Sequence, residues 1–329
     1  MNLRVLIVKP SSLGDVVHGL QVVTTMEHQW RQRGWRVEID WVIRDTLADF
    51  LAQSTVVHRC LIFKRGGGIG AFGELIRQVR KSTYDYVLDM QGLARSAFLV
   101  RMARGRRKIG RWDGREGARW WCPSRVEFPP GGKTAHALDI LKKFLPAVGL
   151  EETELRSLSF RDEGPVLAVP CPYFLLFPHS RQPEKEWPHF LSLTKCLLEH
   201  TSVVWAGDRE ISVAFKHPRF FNLMGQTRLS ELPGLVKNAC GVVANDSGPM
   251  HLAAALGKRL VALFGPTSPE RFGPYPAGSP LFSVLKSEDG KMDSLNPQTV
   301  RDTVLRMGGF TQRLIPSRNP FSPICTILV

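Results

Sequence analysis

The sequence predicts an α/β protein of two doubly wound, Rossmann-like parallel-sheet domains facing each other across a cleft. Three observations predict it. Short apolar runs alternate with amphipathic stretches in each half of the chain, and the alternation stops and restarts once. The stretch between the halves, residues 151–172, is polar and then proline-containing, as a domain edge would be. Residues 241–270 read as a complete βαβ unit. In it an apolar run stops at Asn245-Asp246-Ser247-Gly248-Pro249, an amphipathic run ends at Gly257, and a second apolar run stops at Gly265-Pro266-Thr267. Apolar runs bounded by turn residues suit strands buried on both faces. One large sheet, or tandem domains with no shared site, would give the same alternation.

Taken in order, residues 4–9 read as the first strand, followed by the loop Pro10-Ser11-Ser12-Leu13-Gly14-Asp15. A helix over 16–33 stops at Gly34, a residue suited to a left-handed cap. A strand at 35–43, a helix at 45–53 begun by Asp45, and a strand at 58–63 come next. Gly66, Gly67 and Gly68 form a flexible loop without the order of a phosphate-binding glycine motif. Helices over 72–81 and 94–103 flank a strand at 84–90, and another helix covers 134–147. In the second half, strands at 173–177 and 202–206 and helices at 187–199, 209–215 and 230–238 precede the βαβ unit. Residues 297–307 close the fold as a helix, and 313–329 show no periodicity. The expected domains are therefore 1–160 and 161–312, with a tail at 313–329.

With 329 residues, 43% of them apolar, the chain can fill two cores and is not mainly disordered. No apolar run reaches membrane-spanning length, and the run at 5–8 is too short for a secretory signal. The expected location is cytoplasmic, with room for contact at a membrane surface. The six cysteines are scattered without C-x-x-C spacing, which points to reduced thiols rather than zinc or redox chemistry. Neither a D-x-D pair nor a His/Cys cluster marks a metal site. The net charge of +14 is one-sided. Residues 1–150 hold 25 Lys and Arg against 13 Asp and Glu, whereas the remainder holds 19 against 17. Such a field suits an anionic partner. Without an aromatic–basic recognition motif, nucleic acid is not the expected one.

Loops at the carboxyl ends of strands carry the chemistry, because open α/β sheets bind ligands there. Asp15 stands at the mouth of the cleft, where a carboxylate can take a proton from a hydroxyl nucleophile. The same position suits a helix cap, and a helix N-terminus weakens a carboxylate as a base. Ser180 and Lys185, in the loop 179–188, suit a phosphate, Lys185 as a point charge, or else a solvated surface. Trp187 and Pro188 read as packing residues. A carboxylate among Asp208 and Glu210 suits ribose hydroxyls or a helix cap. The amides of Gly248 to Met250 would face an anion at a helix N-terminus, and His251 suits a phosphate, a sugar or the core. The loop after the first strand lacks the G-x-G-x-x-G fingerprint, which argues against a standard dinucleotide site there, and the absence of G-x-S-x-G argues against a serine hydrolase.

Together these segments resemble glycosyltransferase family 9, the lipopolysaccharide heptosyltransferases. The ordered motifs are V-L-I-V-K-P-S-S-L-G-D-V-V-H at 5–18 and Y-D-Y-V-L-D-M-Q-G-L-A-R-S-A at 84–97. K-E-W-P at 185–188, N-D-S-G-P-M-H-L-A-A-A-L-G at 245–257 and F-G-P-T-S-P at 264–269 follow, so the likeness spans residues 1–276. It implies a GT-B fold with the active site between two Rossmann-like domains. It also implies inverting, metal-independent transfer of heptose from ADP-L-glycero-D-manno-heptose to the inner core of lipopolysaccharide, with no cofactor. Asp15 matches the catalytic base. Ser180, Lys185, Glu210, Asp246, Ser247, Gly248 and His251 match the donor side. On the acceptor side the resemblance implies Ser12, Lys64, Arg65, Arg95 and Arg115, which would receive a lipid-anchored anionic sugar. The enzyme would then sit peripherally on the inner face of the cytoplasmic membrane. Two departures fall on the acceptor side: G-R-E-G around Arg115 where the family often shows A-R-E-P, and Ile140 where some members carry arginine. A GT-B enzyme using another nucleotide sugar, including a sugar-nucleotide epimerase, is the alternative. An epimerase would turn over donor without acceptor.

Overall fold

The structure, a computed structural model, describes residues 2–161, 169 and 171–309. The expected tail at 313–329 and part of the 151–172 junction lie outside the described residues.

The first half runs β1 (Asn2–Val8), α1 (Leu13–Gln32), β2 (Arg36–Arg44), α2 (Ala48–Ala52), β3 (Arg59–Phe63), α3 (Gly68–Val79), β4 (Thr83–Asp89), α4 (Ala94–Met102), β5 (Arg104–Arg111), β6 (Ser124–Val126), α5 (Ala137–Lys142) and α6 (Phe144–Ala147). The second runs β7 (Tyr173–Phe177), α7 (Phe190–Leu197), β8 (Ser202–Gly207), β9 (Phe220–Met224), α8 (Leu232–Asn238), β10 (Gly241–Asn245), α9 (Gly248–Ala255), β11 (Leu260–Phe264), α10 (Pro269–Phe272), β12 (Phe282–Lys286) and α11 (Pro297–Met307).

The strands form two six-stranded sheets, ordered β3-β2-β1-β4-β5-β6 and β12-β11-β10-β7-β8-β9. All pairings within them are parallel. Numbered from its own first strand, each sheet has the order 3-2-1-4-5-6. The order in which strands are added to the sheet therefore reverses between the first and fourth strands, and a crevice opens at their carboxyl ends. In the first sheet that crevice lies beyond Val8 and Asp89, and in the second beyond Phe177 and Asn245. Two doubly wound parallel sheets are the fold class expected from the sequence.

The central strands are buried along their length. β7, β10 and β11 have no partly exposed residue, as the uninterrupted apolar runs predict. α1 is also mostly inside, with Val16, Val17, Leu20, Val22, Val23 and Met26 fully buried. Each such side chain stabilises the fold by roughly 1.5–3 kcal/mol. The cause is that α1 packs on its own sheet and along α9 of the other domain, so one of the hydrophobic clusters runs through both domains.

Three local differences from the sequence reading have physical causes. β5, with the sequence R-G-R-R-K-I-G-R, shows no apolar run because only Ile109 and Gly110 of it are buried; backbone pairing to β4 and β6 makes it a strand. β6, β9 and β12, likewise unread, are short or only partly covered. Residues 209–215 are not a helix. Ile211, Val213 and Phe215 pack on the second domain's core while Ser212 and Ala214 are exposed, a period of two rather than 3.6. The stretch 134–147 is broken, and His136 Nδ1 accepts the Leu138 N–H to begin α5. No described helix is long and apolar enough to cross a membrane.

Histidines line the domain interface. His18 Nε2 lies 3.0 Å from His251 Nδ1, and His136 donates from Nε2 to the Gly273 carbonyl at 3.0 Å. Burial lowers the pKa of all three, that of His251 to about 4, with repulsion from His251 and His136 adding to the effect on His18 and repulsion from His136 adding to that on His251. Below pH ~6.5 the unfolded chain takes up protons at these sites while the folded one does not. Stability is therefore expected to fall as pH drops from ~6.5 towards ~4, before most carboxylates titrate. Thermal melts across that window test this. His18→Gln should flatten the slope, and a melting temperature constant between pH 7 and 5 would contradict it.

Candidate active site

The carboxyl ends of β1, β7, β8 and β10 meet in one cleft with about 250 Å³ of room. Ser12, Leu13 and Gly14 form its first-domain wall. His179, Ser180, Lys185, Asp208 and the start of α9 form the other. The two helix starts are in tight contact. A Cβ on Gly14 would come within 2.5 Å of the His251 ring, and one on Gly248 within 2.8 Å of Leu13. Close approach of the backbones is what requires glycine at both positions.

Asp15 occupies the third position of α1. It accepts the Ser12 N–H at 3.2 Å, the Ser12 hydroxyl at 2.8 Å and the Lys9 ammonium at 3.1 Å. Lys9 is 1% exposed, whereas the Asp15 side chain keeps 45% of its area open. Asp15 thus caps the helix and is accessible as well. Burial raises its pKa, but the Lys9 charge and the Ser12 and Lys9 hydrogen bonds prevail and hold it well below the usual carboxylate range. Burial, with Arg111 adding, lowers the pKa of Lys9 in turn. Arg111 is gripped in bidentate fashion by Asp113 at 2.8 and 2.6 Å. Nearby Asp89 is fully buried and its pKa is pushed up to about 6 by burial, although it accepts the Gln91 and Gly92 amides.

Across the cleft, Lys185 donates to Asp246 at 2.7 Å. Asp246 is 7% exposed and accepts the Thr267 hydroxyl as well, also at 2.7 Å. Its role in this geometry is to fix Lys185. Ser247 stands at the N-terminal boundary of α9 without a side-chain cap, and its Oγ is buried without a hydrogen-bond partner. Ser180 is buried, and its N–H donates to Glu186 at 3.0 Å. Asn245 ties the loop beneath: its amide donates to the Pro178 carbonyl and its oxygen accepts the Trp187 N–H. Trp187 is a packing residue, 2% exposed, with its indole N–H on the Leu295 carbonyl.

A second cavity, of about 390 Å³, lies in the first domain. Arg44, Arg65 and Arg95 line it with Phe63, Gln91 and Glu116. Gln91 Oε1 is buried and unpartnered. Pro10 and Ser11 face this cavity while Ser12 to Gly14 face the interdomain cleft, so one short loop separates the two.

Residues 72–298 match the family model of glycosyltransferase family 9 (heptosyltransferase). The chain belongs to that family. It is 29% identical over 305 residues to lipopolysaccharide heptosyltransferase 1 of Pseudomonas aeruginosa, covering 83% of this chain and 81% of the relative. Against lipopolysaccharide heptosyltransferase 1 of Escherichia coli K12 it is 26% identical over 321 residues, covering 91% and 98%. Its fold matches that of E. coli heptosyltransferase WaaC, solved with ADP, with a TM-score of 0.78, 22% identity and coverage of 93% and 100%. The protein is a glycosyltransferase, and its paired sheets form a GT-B fold.

This family 9 glycosyltransferase brings Ser12, Ser180, Lys185, Asp246, Ser247, Gly248 and His251 to one cleft, with Asp15 beside Ser12. Glu210 is exposed and does not line it; Asp208 does, two residues earlier. Arg65 and Arg95 share the second cavity, while Lys64 and Arg115 are exposed outside its lining. Sequence reasoning assigned no role to Lys9, Asp89, Arg111, Asp113, Arg44 or Thr267. The readable signal was a charged residue at or just past the end of a strand, as Lys9 follows V-L-I-V and Asp89 ends Y-V-L-D.

Proposed function

We propose that the protein transfers heptose from ADP-L-glycero-D-manno-heptose to the inner core of lipopolysaccharide, with inversion and without a metal ion. The observation that carries this reading is the loop 10–14, with a basic cavity on one side and the Lys185 cleft on the other, and Asp15 at its end. The donor diphosphate would lie against Lys185 and the amides at the start of α9. The anionic acceptor would enter the cavity of Arg44, Arg65 and Arg95. Its hydroxyl attacks the anomeric carbon opposite ADP, so the new C–O bond forms as the bond to phosphate breaks. Asp15 takes the hydroxyl proton. ADP leaves with its charge met by Lys185 and the helix amides, which can do the work a metal ion does elsewhere. Asp15 is a weak base at rest, so proton transfer occurs late, when the hydroxyl has become acidic. The heptosyltransferase names of the relatives and the ADP bound in the structural neighbour support the donor and the acceptor class. A sugar-nucleotide epimerase would have no use for the second cavity. A lipid-anchored acceptor also favours a cytoplasmic enzyme held peripherally at the inner membrane.

Thermal melts with ADP, UDP, GDP and NAD in EDTA test the donor. ADP at about 100-fold above its Kd should stabilise the fold by about 2.7 kcal/mol, the other nucleotides by less. A shift with UDP or GDP alone would overturn the ADP-sugar assignment. Loss of turnover on adding the chelator would overturn metal independence.

A further inference from the structure

Six large apolar side chains are exposed among the described residues, and four of them belong to the first domain: Ile69, Trp112, Trp120 and Trp121. Ile69 is 93% exposed and Trp120 76%. Exposed apolar groups that join into one patch mark an interaction surface, whereas scattered ones do not. A ladder of rings connects them to the second cavity. Phe63 lines that cavity and packs edge-on against Phe72 at 6.3 Å. Phe72 stacks on Phe98 at 6.1 Å, and Phe98 meets Trp121 at 5.5 Å. Ile69 lies one helical turn before Phe72 on α3, and Trp120 adjoins Trp121.

The surroundings are cationic. Residues 101–125 carry nine basic and two acidic side chains. Arg119 lies over the Trp120 ring at 4.9 Å, and Arg125 over Trp112 at 4.7 Å. Each pair presents an aromatic face and a positive charge side by side, the combination that settles at the boundary between lipid headgroups and acyl chains. A second copy docking symmetrically would press this positive face against itself, which like-charge repulsion disfavours.

We infer that Ile69, Trp120 and Trp121, with Arg119 over the Trp120 ring, dock the protein on an anionic lipid bilayer at the mouth of the cavity of Arg44, Arg65 and Arg95. This inference rests on the transferase reading for its purpose: a lipid-anchored acceptor would rise from the membrane directly into the cavity. The surface chemistry stands without that reading.

The test is flotation of the purified protein with vesicles of phosphatidylglycerol and phosphatidylethanolamine, against neutral phosphatidylcholine vesicles. The wild type should float with the anionic vesicles only, and salt should weaken the binding. Ile69→Ser/Trp120→Ser removes two side chains that support no core, so the variant folds, and circular dichroism checks this. It should lose roughly tenfold or more in vesicle partition while keeping its ADP-induced melting shift. Equal flotation of wild type and variant, or a wild type that stays in solution, overturns the inference. So would a dimer that the variant dissolves without any vesicle binding, which would assign the face to a second copy. Because flotation needs no turnover, its failure is separate from a failure of the transferase reading, which the nucleotide melts detect.

Discussion

Replacing Asp15 with asparagine is expected to lower transfer by about 10²–10⁴-fold while leaving ADP affinity within about twofold. Asparagine keeps the shape and an oxygen for the Ser12 N–H, so α1 stays capped, but it cannot take a proton. A stopped or single-turnover assay alongside ADP titration separates the two effects. Equal loss of transfer and of ADP binding would instead assign Asp15 to capping alone. The pH profile gives a second readout. Lys9 and Ser12 depress the Asp15 pKa, so the carboxylate stays ionised through neutral and mildly acid pH. Its stabilising contribution is present above ~3.9, the unfolded value, and is lost as pH falls through the lower folded value. The acid limb attributable to Asp15 should therefore lie below the usual carboxylate range. Lys9→Met, which removes the charge 3.1 Å away, should move that limb upward. An unmoved limb would mean that another group sets it.

The second large effect is expected at Lys185. Lys185→Ala should weaken ADP binding by about 10- to 100-fold, the worth of a charge-assisted contact of roughly 1.5–3 kcal/mol. It should also lower stability in the absence of ligand, because Asp246 is 7% exposed and loses its cation. Breaking a buried pair costs about 3–5 kcal/mol. The cost here should fall below that range, since Thr267 still donates to Asp246 and Lys185 is partly exposed. Lys185→Met/Asp246→Asn separates the terms: melting temperature should recover towards wild type while ADP affinity does not. If calorimetry shows ADP binding Lys185→Ala as tightly as wild type, the phosphate role is wrong and the pair is purely structural.

Much of the candidate site was legible because it follows strand ends. Asp246, Ser247 and Gly248 stand between an apolar run and an amphipathic one, and the structure puts them at a helix start facing the cleft. Gly257 ends α9 with φ +66°, the left-handed cap expected of it. Asp15 carried two readings at once, as base and as cap, and its geometry accommodates both. Glu210 was read as a site residue, yet it is Asp208 that faces the cleft. A residue-by-residue pattern says that a carboxylate follows β8; only the path of the loop says which one turns inward.

The sequence by itself determined the doubly wound α/β fold class, the central strands and the strand-end loops that line the cleft. Apolar runs of strand length and helices with marked starts and stops are local properties, and burial of the central strands makes them strong. Tertiary structure alone decided three things. β5, and the edge strand β12, exist because neighbours pair with them, not because their side chains demand it. Lys9, Asp89 and Arg111 gather around Asp15 because β1, β4 and β5 lie side by side in the sheet, while the chain separates them by tens of residues. The meeting of Ser12, Leu13 and Gly14 with Lys185 in one cleft depends on α1 packing against α9, through contacts more than two hundred residues apart. Periodicity reports which side of an element is buried; it carries no information about which other element buries it.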